Sequence, residues 1–131
     1  MKLLLSSVCS LGLLLASTHA IFQPDPQALV GHWEIDLTPE NGLDDPTAIM
    51  IVKKVSDKSF SGTFYREGVK IREGRINTQR GIVYGALVSG DNSGDYNTSF
   101  YLKDGVLYGS THAIDRGFLS VWTAVKKSDQ P

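Results

Sequence analysis

Val30-Gly31-His32-Trp33-Glu34-Ile35-Asp36-Leu37 is the stretch that decides the fold. Successive side chains of an extended chain point to opposite faces, so Trp33, Ile35 and Leu37 share one side and His32, Glu34 and Asp36 the other. That contrast at a period of two is the pattern of a half-buried strand. Residues 38–46 then collect Pro39, Asn41, Gly42, Asp44, Asp45 and Pro46, which break a strand and read as a loop.

The same alternation recurs down the chain. Runs over 47–55, 59–66, 69–76, 82–89, 95–103, 106–112 and 118–126 are separated by short turn-forming stretches. Glu67-Gly68 and Asp104-Gly105 are hairpin turns, the second being the clearest in the sequence. Ahead of the first run, Asp25-Pro26-Gln27-Ala28-Leu29 predicts one helical turn, with Asp25 as cap and Pro26 at its first position. A weak repeat links three of the runs: Phe60-Ser61-Gly62-Thr63, Val83-Tyr84-Gly85-Ala86 and Leu107-Tyr108-Gly109-Ser110. Glycine inside a strand costs stability and marks a bend or a close approach of backbone. Eight short strands joined by short connections pair with their sequence neighbours. Pairing the first with the eighth removes both free edges, so the expected fold is all-β, an eight-stranded antiparallel up-and-down barrel, in preference to an open sandwich.

The rest of the chain sets the compartment and the domain count. Lys2 precedes a largely apolar stretch, and Ser17-Thr18-His19-Ala20 ends it with the small residues a signal peptidase accepts. Residues 1–20 therefore read as a signal peptide, 21–29 as a tail and helical turn, 30–127 as the barrel, and 128–131 as a second tail. Cys9 belongs to the apolar stretch, so a chain cleaved after Ala20 has no cysteine and no disulfide. That suits a periplasmic or extracellular protein held together by its own core. The 131 residues carry 13 basic and 14 acidic side chains. Nothing in that balance draws the chain to nucleic acid or to an anionic membrane.

With the strands placed, Gly31-His32-Trp33 becomes informative. A Gly-x-Trp triplet opening the first strand just after a short turn resembles the start of the calycin-type barrels, the lipocalins and avidins. Phe60-Ser61-Gly62-Thr63-Phe64 resembles the third-strand segment of avidin-like chains, and Val121-Trp122-Thr123-Ala124-Val125-Lys126 is placed like their last strand. The resemblance implies that Trp33 packs at the barrel floor beneath a basic residue of the last strand, here Lys126 or Lys127. Ile35 and Phe64 stand where avidins place polar ligand contacts, so the resemblance does not extend to biotin.

A barrel of this kind offers its lumen for a small apolar ligand. The expected lining is Trp33, Phe64, Tyr84, Phe100, Tyr108 and Trp122, with Thr98 and Ser110 as polar handles; the alternative is that these side chains merely fill the interior. Residues 82–88 and parts of 118–125 are apolar on both faces. Exposed apolar surface marks interfaces, which points to a homodimer through the outer faces of the strands in 82–125. A second functional class is a protein-interaction module, such as an inhibitor, working through the barrel-end loops 38–46 and 90–94. Asp91, Ser93 and Asp95 alternate like calcium ligands, yet Gly94 comes too early and no distal Glu follows. His32 and His112 are too isolated to form a metal site. With no nucleophile and base in a recognisable arrangement, the sequence points to a protein that is not an enzyme and needs no cofactor.

Overall fold

The computed structural model describes residues 12, 23–37 and 46–131. The signal-peptide reading of residues 1–20 and most of the loop 38–46 lie outside the described residues. A single 3-10 turn, Pro26–Leu29, leads into the first strand, and Asp25 caps it by accepting the Gln27 N–H at 2.9 Å. Eight strands follow: β1 (Gly31–Asp36), β2 (Thr47–Val55), β3 (Phe60–Tyr65), β4 (Glu73–Asn77), β5 (Tyr84–Asp91), β6 (Gly94–Lys103), β7 (Val106–Ala113) and β8 (Phe118–Ser128).

All pairings are antiparallel, in the order β3-β2-β1-β8-β7-β6-β5-β4. The first and last strands lie side by side, with Trp33 opposite Lys126 and Ile35 opposite Ala124. The architecture is the expected up-and-down barrel, nearly closed and compatible with a calycin-like fold. Its seam falls between β3 and β4, where the sequence predicts a regular hairpin around Glu67-Gly68. Two bridges, Ser59 to Arg75 and Thr63 to Lys70, span that seam. Backbone bonds from Ile71 N–H to the Gly62 carbonyl and from Ile76 N–H to the Lys58 carbonyl, each 2.9 Å, join them. The irregularity has a local cause. Tyr65 sits at φ 83°, a left-handed conformation that costs an L-residue about 1–2 kcal/mol and turns the chain out of β3 early. Regular β4 pairing then resumes only at Glu73.

The inward faces make one core. Trp33, Ile35, Met50, Phe64, Phe100, Leu107 and Trp122 are all at most 3% exposed, and Leu29 closes one end. The floor is tied by a single cluster. Trp33 Nε1 donates to the Leu29 carbonyl at 2.8 Å. Lys126 Nζ stands 5.2 Å from the Trp33 ring centroid, donates to the Ala28 carbonyl at 2.7 Å and pairs with Asp129 at 3.2 Å. Of the two lysines the sequence offers, Lys126 covers the indole; Lys127 turns outward to Glu34 at 3.4 Å.

Lys126→Ala removes the cation from the indole face and leaves the Ala28 carbonyl without this donor. Unfolding in urea is expected to show a loss of about 1–2 kcal/mol, with Lys126→Arg retaining most of the stability.

Candidate functional site

The register of the sheet sorts the eight expected lumen residues into two groups. Trp33, Phe64, Thr98, Phe100 and Trp122 point inward and are buried. Tyr84, Tyr108 and Ser110 do not: they lie on the outer face, with Tyr84 41% and Tyr108 38% exposed. The reason is the parity of the glycine repeat. The inward places flanking the tyrosines are taken by Val83, just before β5, and Gly85 within it, and by Leu107 and Gly109 in β7. Gly85 lies directly opposite Phe100 and Gly109 directly opposite Trp122, and a Cβ on either glycine would strike the facing ring. Glycine is inward because the aromatic ring beside it needs the space, and each tyrosine is turned out.

Inside the barrel the rings pack against one another. Phe64 and Phe100 lie 6.0 and 6.4 Å from Trp122, and Phe60 packs edge-on to Phe100 at 5.9 Å. The polar atoms of the candidate lining are used internally. Trp122 Nε1 donates to Thr111 Oγ1 at 2.9 Å, and Thr111 Oγ1 lies 3.0 Å from Thr98 Oγ1. Thr111, Leu87 and Leu107 are inward residues that alternation from the correct anchor, glycine rather than tyrosine, would have placed.

Outside, the same register builds a different feature. Asn77, Tyr84, Tyr101, Tyr108 and Thr123 stand in one row across β4 to β8. The tyrosine rings are 6.0 and 5.3 Å apart and form a ridge. The next outward row, two residues along each strand, is Arg75, Ala86, Ser99, Ser110 and Val121. Its small central side chains leave a trough of about 950 Å³ beside the ridge, floored by the backbone around Gly85 and Gly109. Between β5 and β8 neither row carries an ionisable acid or base other than the tyrosine phenols. The charges stand at its limits, Arg75 on β4 and Asp36 on β1. Trough and ridge gather the three residues expected in the lumen, together with Tyr101, Ser99 and Val121.

A second hollow, about 780 Å³, lies at one barrel end between the chain 66–72 and the turn 90–93. Arg66 pairs with Asp91 at 2.7 Å and Arg72 with Asp95 at 2.7 Å. Ser93 donates to Asp91 from its hydroxyl at 2.5 Å and from its backbone at 2.8 Å. Those donors, with Arg66, hold the Asp91 carboxyl well below the usual carboxylate range. The Asp91 and Asp95 carboxylates are thus engaged by protein cations, and Asp91 and Ser93 hydrogen-bond within the turn 90–94.

No family model, curated protein or solved structure matches this chain.

Two outcomes follow from this geometry. Gly109→Ala drives a methyl into the Trp122 ring, and calorimetry is expected to show a loss of about 1–3 kcal/mol. Asp91 is lowered on folding, so its stabilisation is complete above the unfolded carboxyl value near 4 and drains away as the pH falls below it. Thermal melts from about pH 7 to pH 2 are expected to show that loss, and Asp91→Asn is expected to show a shallower one.

Proposed function

We propose that this chain is an exported, non-catalytic calycin-like barrel that works as a protein-interaction module, with its outer trough and tyrosine ridge as the contact surface. The observation that carries the reading is the contrast between the two faces of β5 to β8. The inward indoles and the Thr98 hydroxyl of the candidate lining are packed against other rings or hydrogen-bonded to Leu29 and Thr111. The outward face leaves three tyrosines and Val121, itself 71% exposed, beside a trough whose charges, Arg75 and Asp36, stand only at its limits. Aromatic and aliphatic side chains grouped on a surface with charge only at the margin are the composition of an interface core and rim. Export rests on the apolar leader in residues 1–20. A small apolar ligand in the lumen is the competing reading. The barrel form is consistent with it, but the ligand would have to displace side chains already in contact.

Native mass spectrometry of the chain purified from its own source separates the two. A polypeptide partner, either a second copy or another protein, is expected on the native chain and is expected to be lost from Ser99→Arg, which fills the trough with a charge. A small molecule that stays bound to Ser99→Arg would overturn the reading in favour of the lumen.

A further inference from the structure

Ridge and trough are adjacent, parallel and of equal length, and this makes the face complementary to itself. We propose that the occupant of the trough is a second copy of this chain, docked about a two-fold axis that runs across the strands between the two rows. The inference rests on the reading of the outer face as the contact surface and goes further by naming its partner.

The register fixes which residues would meet. Two faces in contact about an in-plane two-fold exchange positions that lie equally far on either side of the axis. The axis lies over Gly85, Phe100, Gly109 and Trp122, the inward row between ridge and trough. Each tyrosine then faces a small residue of its own strand in the second copy: Tyr84 meets Ala86, Tyr101 meets Ser99, and Tyr108 meets Ser110. On β8, Thr123 meets Val121. The ridge of each copy seats in the trough of the other, and two phenols enter beside a serine hydroxyl that can accept or donate, so that they are not buried without a partner.

The flanking rows agree. Two residues further out, Leu119 on β8 meets Val125, and these are 64% and 44% exposed. Asn97 on β6 meets Lys103, and His112 on β7 meets Val106. At the β4 margin Arg75 meets Asn77. No pair sets like charges against each other: Arg75 and Lys103 each meet an uncharged side chain. The match of three tyrosines to Ala86, Ser99 and Ser110 across the axis is what favours a second copy over a foreign partner.

Sedimentation of the full chain tests the proposal. A dimer is expected, and Ser99→Arg, with its circular dichroism unchanged, is expected to raise the dissociation constant roughly a hundredfold or more by burying an unpaired charge. The register has its own test. Asn97 and Lys103 are six residues apart on β6, about 20 Å, too far for a short bis-maleimide to span within one chain. In a Cys9→Ser background the double variant Asn97→Cys/Lys103→Cys is expected to cross-link into covalent dimers, and either single cysteine is not. A monomer at every concentration overturns the proposal, as does a dimer indifferent to Ser99→Arg, or single cysteines that cross-link as well as the pair. A monomer that carries another polypeptide lost on Ser99→Arg would overturn the second copy and leave the contact surface standing. A monomer whose only passenger is a small molecule kept by Ser99→Arg would overturn both.

Discussion

The contact of Lys126 with Trp33 is where the barrel is joined. β1 and β8 are the first and last strands of the sheet, and nothing in the covalent structure brings them together. Their pairing closes a loop of nearly a hundred residues, whose entropic cost must be offset at the junction. The indole supplies apolar area, its Nε1 fixes the helical turn through the Leu29 carbonyl, and the lysine of the facing strand covers the ring while holding the Ala28 carbonyl. The helical turn, β1 and the distant β8 are thus secured by two side chains that face each other in register. Closure here also permits the looser seam between β3 and β4, because that edge is already tethered by a short connection.

The second constraint is volume. An eight-stranded barrel is only just wide enough for its own side chains. Two tryptophans and several phenylalanines exceed what alternating large residues could share, so the inward positions beside Phe100 and Trp122 must be glycine. Each of those glycines then sets a neighbour's direction. Tyr84, Tyr108 and Ser110 face outward as a consequence of ring packing on the other side of the sheet. The outer trough is therefore coupled to the core: the residues that give it a low floor are the ones that let the rings fit inside.

Much of this is legible in the amino-acid order. The first strand, the capped turn before it, the sequence of eight strands and the closure of β1 on β8 follow from alternation and turn chemistry. The strands' inner and outer faces do not follow wherever both are apolar. In Val83-Tyr84-Gly85-Ala86 and Leu107-Tyr108-Gly109-Ser110, alternation permits either assignment, and choosing the largest aromatic as the inward residue puts the wrong set in the lumen. The deciding fact is a contact across strands, ring against glycine, which no local pattern contains. The seam at β3 and β4 was hidden for a related reason. Nothing in Phe64-Tyr65-Arg66 announces a positive φ at tyrosine, a conformation imposed by the chain's need to leave the sheet there.

These constraints together bear on where recognition can reside in so small a barrel. A lumen that carries a ligand must leave part of its lining without partners, and each such residue is core surface withheld from stability. With about a hundred residues and no disulfide in the described chain, the margin for such a concession is narrow. Filling the interior removes the difficulty. On the outside, alternation gives every inward residue a pair of outward neighbours, so a core built from an ordered row of rings and glycines imposes an equally ordered row of large and small residues on the other face. An outer surface patterned in this way is already a shape with a ridge and a groove, one strand-repeat apart.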